Sequence, residues 1–217
     1  MRKFLILIIL LCTSLQVNAT AQYPDMIFYN GKEYFLHNNP LESYFEKYPN
    51  KKPQSGMISS ALWRGYIATF EIKNNQLLLK DIEIQVYDTS NEKEYKLTQV
   101  SVINKVFPNN EIVKIDWMTG LLVLPYGKIV NYVHMGYAST YENYILLEIN
   151  KGNLIQARDF TGKQYEKFKE KQFQVFKKTD EYKQLKYDMK KEGSTDDSIE
   201  SFLKTYVIDY TSKILIE

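Results

Sequence analysis

The side chains best suited to chemistry are few. The 217 residues hold two histidines, His37 and His134, and one cysteine, Cys12. The densest gathering of reactive types is Tyr132-Val133-His134-Met135-Gly136-Tyr137-Ala138-Ser139-Thr140-Tyr141-Glu142, which places an imidazole, two hydroxyls, three phenols and a carboxylate in one short stretch. With His134 as base, Ser139 or Thr140 as nucleophile and Glu142 as orienting carboxylate, it has the residue types of a hydrolytic triad. The sharp glycine-flanked nucleophile turn, G-x-S-x-G, is missing. The favoured expectation is therefore a glycine-bearing turn whose hydroxyls and carboxylate satisfy backbone donors, with no catalytic residue in it.

Other chemistries find less material. A glycosidase needs two carboxylates set across a sugar, and Asp81 with Glu83, or Asp116 beside Trp117, are the available acids. In an alternating strand Asp81 and Glu83 share one face and repel unless solvated, so an outward polar stripe is expected. No His-x-x-x-His spacing exists and the single thiol, Cys12, lies in the opening segment of the chain, so no metal is expected. The absence of a phosphate-cradling glycine loop or a dinucleotide fingerprint leaves no cofactor to expect.

Aromatic residues are the second anomaly, with 18 Tyr, 11 Phe and 2 Trp. A tyrosine offers a flat apolar body with a polar tip, which suits sugar faces and protein interfaces alike. Trp63, Trp117, Tyr132, Tyr137 and Tyr141 are the candidate binding residues. Half-buried strands also favour such rings, so packing in the core competes with an exposed platform as the reason for them.

These residues need elements to hold them. From 26 to about 158 the pattern is one of short strands joined by tight turns. Residues 26–29 and 32–36 flank Asn30-Gly31, a pair that tolerates the positive φ angles of a type I′ turn. Residues 66–73 and 76–87 flank Asn74-Asn75, and alternation in the first arm turns Tyr66, Ala68, Phe70 and Ile72 to the core. Strands are expected at 111–117, 121–124, 128–134, 141–150 and 153–158, with turns at 119–120, 125–127 and 151–152. Successive apolar residues at 112–115 and 145–147 predict a sheet covered on both faces there. Residues 40–48 read as a short helix ended by Pro49, and 94–107 lean toward strand through their β-branched residues. After Phe160 the period moves toward 3.6, with Tyr165, Phe168, Val175, Tyr182 and Met189 on one stripe of a helix ended by Gly193. A second helix, capped at Asp197, carries Ile199, Phe202, Leu203, Tyr206 and Tyr210. The fold class is α+β: a mostly antiparallel sheet, arranged as a meander, followed by two C-terminal helices. It forms a single domain over 22–217, β-rich over 22–160 and helical over 161–217.

The chain opens with Arg2 and Lys3, an apolar run over 4–11 and a polar close ending in Ala19-Thr20-Ala21. That is the layout of a signal peptide cut after Ala21. The apolar run falls well short of the roughly 20 residues needed to span a bilayer, and no transmembrane segment is expected elsewhere. Acylation of Cys12 is less favoured, because Leu11 before it is bulky. Without the two basic residues of the leader, 26 basic side chains balance 26 acidic ones, so no nucleic-acid partner is expected. A Lys-, Asn-, Ile- and Tyr-rich composition of the AT-rich bacterial kind adds to the expectation of a periplasmic or secreted protein.

Three stretches carry a resemblance: Leu62–Ile72, Asp116–Gly120 with Pro125 and Gly127, and Tyr132–Tyr137. They look like segments of exported bacterial β-rich proteins of unknown function, and the resemblance implies no activity. The expected function is a non-catalytic binding module, immunity-like in one version, that meets a protein or glycan of the cell envelope or exterior. The alternatives are a hydrolase using His134 with Ser139 or Glu142, and a carbohydrate binder using exposed Trp and Tyr.

Overall fold

The structure, a computed structural model, describes residues 20–54, 58–88, 96–108 and 112–216. The expected leader lies outside the described residues except for Thr20 and Ala21, and residues 94, 95 and 111 of two expected strands lie outside them as well. The architecture is α+β, a large and mostly antiparallel sheet followed by C-terminal helices. Among the described residues no helix is long and apolar enough to cross a membrane.

Three hairpins form where short turns were expected. Strands β1 (Asp25–Tyr29) and β2 (Lys32–Leu36) meet through Asn30 (φ 49°) and Gly31 (φ 75°). Strands β3 (Ile67–Lys73) and β4 (Gln76–Asp88) meet through Asn74 and Asn75, both left-handed. Strands β8 (Thr140–Asn150) and β9 (Asn153–Thr161) meet through Lys151-Gly152. In each, positive φ at both central residues matches the turn's twist to that of its strands.

The connections between hairpins depart from a simple meander. After β2 the chain crosses back through helix α1 (Glu42–Lys47) and a 3₁₀ turn (Pro49–Lys51), so β3 lies parallel to β1 with Phe70 beside Ile27. The sheet order is β2-β1-β3-β4-β9-β8-β7, where β7 is Gly120–Asn131. Strands β5 (Lys96–Ser101) and β6 (Val113–Lys114) add to β4. The sheet curls until its outermost strands meet: His37 N donates to the Val123 carbonyl at 2.9 Å, and Val123 N donates to Asn38 Oδ1 at 2.7 Å. A register shift at Gly127 turns the expected turn at 125–127 into a bulge inside one long β7. The expected strand at 111–117 shrinks to β6, and Ile112 is exposed where a doubly covered position was expected. Of the expected strand at 94–107, the described residues from 96 on divide into β5 and a one-turn helix α2 (Ile103–Val106), a split that accounts for their mixed periodicity.

Both faces of β7 and β8 are covered, as the successive apolar residues at 145–147 require. Leu122, Leu124, Ile145, Leu147 and Ile149 join the concave core with Ile27, Tyr66 and Phe70. Leu121, Val123, Tyr144 and Leu146 point the other way, against the helices. There are three helices rather than two, because the long helical segment breaks near Thr179. They are α3 (Gly162–Phe176), α4 (Asp180–Lys191) and α5 (Asp196–Thr205), with threonine N-caps at Thr161, Thr179 and Thr195. The third of these, rather than Asp197, receives the Ser198 N–H.

Candidate functional site

The stretch 132–142 closes the distal end of the β7–β8 ribbon, and its shape follows from local backbone needs. Gly127 sits at φ +82°, and a Cβ there would lie 2.8 Å from Glu142 Oε2. The missing side chain lets that carboxylate tuck against the bulge, where it accepts the Lys128 N–H at 2.9 Å. Ser139 Oγ accepts from Val133 N at 3.0 Å and lies 3.3 Å from the Val133 carbonyl, cinching the loop. His134 lies exposed with its ring edge-on to Tyr132. The three triad candidates are thus adjacent in sequence but serve separate ends: two satisfy backbone groups, and the imidazole faces solvent beside a phenol. Asp81, one of the acids weighed for a glycosidase, accepts from Ser101 Oγ and Ile82 N. Burial, and then the charge of Asp81, push the Glu83 carboxyl up, as two acids on one strand face should.

The loop has a wet side and an anchored side. Val130 and Tyr132 are 68% and 54% exposed, and Ile129 and Met135 are open as well. On the anchored side, Tyr137 stacks on His37 at 4.8 Å between centroids, and Tyr141 meets the same imidazole edge-on at 5.5 Å. The Tyr137 hydroxyl accepts from Arg64 Nη1 and donates to Asn39 Oδ1, each at 3.0 Å. Burial drops the His37 pKa to about 4, so the imidazole is neutral under ordinary conditions. Burial likewise lifts the Tyr137 phenol to about 12.

Behind Tyr137 lies a fully buried ion pair. Arg64 Nη2 donates to Asp25 Oδ1 at 3.1 Å and to the Tyr23 carbonyl at 3.0 Å, while Ala68 N donates to the same carboxylate oxygen. Burial raises Asp25 to about 6 against the opposing pull of Arg64 and the Ala68 N–H. Asp25, Asn39 and Arg64 are the site residues that sequence reasoning missed, and His37, counted there among the reactive side chains, was not placed with them. Arg64 stands inside the Leu62–Ile72 stretch, and a charged residue flanked by Leu62-Trp63 and Gly65-Tyr66 was the only hint of it.

A cleft of about 500 Å³ opens beside the ribbon, lined by Val130, Tyr141, Glu142, Tyr144 and the first turn of α3. A second, of about 470 Å³, lies between the sheet and the helices, where Asn38 Nδ2 reaches Asp209 Oδ1 at 3.4 Å. The two tryptophans do not share the ribbon's surface. Trp63 is 53% exposed with Lys52 Nζ 5.4 Å above its ring, and Trp117 is half-buried, its Nε1 donating to the Pro40 carbonyl at 3.0 Å. Among the described residues no three His, Cys or carboxylate side chains converge as a metal site. No protein family, curated protein or solved structure matches the chain.

Proposed function

We propose that the chain is an exported, non-catalytic binding module that meets a protein of the envelope or exterior with the distal end of the β7–β8 ribbon. One observation carries this reading: the end of the ribbon is apolar where it faces water and firmly tied where it faces the protein. Exposed Val130 near the end of β7 and exposed Tyr132 at the start of the loop stand on a segment held from behind by Tyr137, Arg64 and His37. A contiguous apolar patch on a soluble surface costs hydration until something covers it. A patch presented on a fixed loop binds without much loss of conformational freedom. The employment of Ser139 and Glu142 in backbone bonds supports a binding role over a hydrolytic one. An immunity-type role, blocking an exported toxin, is one form of this reading.

The test is photo-cross-linking in the living cell from position 130, with position 155 as control, since Ile155 is exposed on β9 away from the loop. A discrete adduct from 130 and none from 155 is the expected result. No adduct, or the same one from both positions, overturns the reading. Export has its own arm: the mass of the native protein should begin at Gln22. An intact Met1, or a diacylglyceryl group on Cys12, would remove the assigned route.

A further inference from the structure

An ammonium ion can be held without a counter-ion if several aromatic faces surround it, because each ring presents the negative side of its quadrupole. A cluster of rings that flanks one ammonium lies on the surface formed by α1, α2 and the segment before β7. Tyr44 is the hub, with ring centroids 4.7 Å from Trp117, 4.9 Å from Tyr48 and 5.0 Å from Phe107. Phe107 and Trp117 lie within 9° of parallel. The rings are fixed from below, since Phe107 is buried, Tyr44 and Trp117 pack on the concave core, and the indole is pinned by its bond to Pro40.

The cage holds an ammonium already. Lys51 Nζ lies 5.8 Å from the Tyr44 centroid and 5.9 Å from those of Tyr48 and Phe107, and Lys47 Nζ lies 5.3 Å from the Tyr48 centroid, so among the described residues Tyr48 alone of the three meets a second ammonium. Its neighbour Lys52 behaves differently, since its ammonium over Trp63 is fixed by the Glu42 carboxylate at 3.0 Å. No carboxylate is among the described contacts of Lys51, which stays exposed. A primary ammonium prefers oxygen acceptors for its three protons, whereas a quaternary one has none to place. The stand-off of nearly 6 Å from three rings also leaves room for N-methyl groups.

We propose that Tyr44, Tyr48 and Phe107 form a binding site for a quaternary ammonium group of the choline kind, with Lys51 as an internal plug that the ligand displaces. The cage is preformed on the core and its plug is a flexible surface side chain, so exchange needs no backbone movement. The site is separate from the β7–β8 ribbon and stands whether or not the ribbon binds a partner.

The experiment follows the Trp117 indole N–H by NMR while choline or tetramethylammonium is added to the wild type, to Lys51→Ala, and to Lys51→Ala with Tyr48→Ala. Lys51 and Tyr48 are both surface residues, so the variants should stay folded. The expected result is a saturable shift that tightens about fivefold in Lys51→Ala, the factor that one exposed cation–π contact is worth, and that is lost when Tyr48 is also removed. The neutral isostere 3,3-dimethylbutanol should leave the resonance in place. An unshifted resonance in Lys51→Ala, equal affinity with and without the plug, or equal binding of the neutral isostere would each overturn the proposal. Phosphatidylcholine and phosphatidylglycerol vesicles then identify the source. Tyr48-dependent sedimentation with the former alone assigns a lipid headgroup, and choline binding without sedimentation assigns a soluble ammonium compound, both within the proposed class.

Discussion

The rings of His37 and Tyr137 lie stacked, 13° from parallel and 4.8 Å apart, and they join the end of β2 to the loop between β7 and β8. This contact, with the Arg64 bond to the same phenol, turns an exposed loop into a fixed one. One half of the loop serves as an anchor, and the other half is open to solvent.

Removing only the phenolic oxygen tests the anchor. Tyr137→Phe keeps the stack but strips Arg64 Nη1 and Asn39 Oδ1 of their partner. An unsatisfied buried donor costs about 1–3 kcal/mol. Urea unfolding should show that loss, and amide exchange should quicken at 133–139. Unchanged stability together with unchanged exchange would mean the bond anchors nothing.

The acid limb of stability should carry the signature of His37. Its folded pKa of about 4 lies below the unfolded value near 6.5, so between those values the unfolded chain binds the extra proton and stability falls as pH drops. Asp25 and Asp209, both raised to about 6 chiefly by burial, act with opposite sign, because their folded forms take up protons first. His37→Phe isolates the imidazole. The wild type should lose on the order of 2 kcal/mol more than the variant between pH 6.5 and pH 4. Parallel pH profiles of the two proteins would contradict this assignment.

Arg64→Met should be among the most damaging substitutions. It leaves the Asp25 carboxylate buried without its cation, a loss of about 3–5 kcal/mol for a broken buried pair. Without the lowering pull of Arg64 the Asp25 carboxyl rises above about 6, so the penalty should be largest at alkaline pH and shrink as pH falls toward 6, where the variant's Asp25 is already protonated. Thermal melts at pH 5 and pH 7.5 measure the difference, and a penalty independent of pH would show that Arg64 matters only through its packing.

Gly127→Ala tests the bulge. The added methyl meets a φ of +82° and a carboxylate oxygen 2.8 Å away, so it strains the backbone and pushes Glu142 off the Lys128 N–H. A cost of about 1–3 kcal/mol is expected, with the amide signals of Lys128 and Ile129 displaced by NMR. A variant as stable as the wild type would mean the residue tolerates any side chain.

The sequence by itself determined what depends on neighbours along the chain. Asn30-Gly31 and Lys151-Gly152 set hairpin turns because glycine, lacking a Cβ, and asparagine tolerate positive φ, and the change of period after Phe160 marked the helices. The alternation of Tyr66, Ala68 and Phe70 gave the buried face of β3 directly. Tertiary structure decided what depends on distance. The parallel seating of β3 on β1, the burial of Arg64 against Asp25 and the stacking of Tyr137 on His37 each join segments roughly 40 to 100 residues apart, and no local preference encodes such a pairing. His134, Ser139 and Glu142 show the reverse. They are close in sequence, yet Ser139 bonds the Val133 backbone within its own loop, as a short side chain does most cheaply, and Glu142 reaches across the ribbon to the Lys128 N–H.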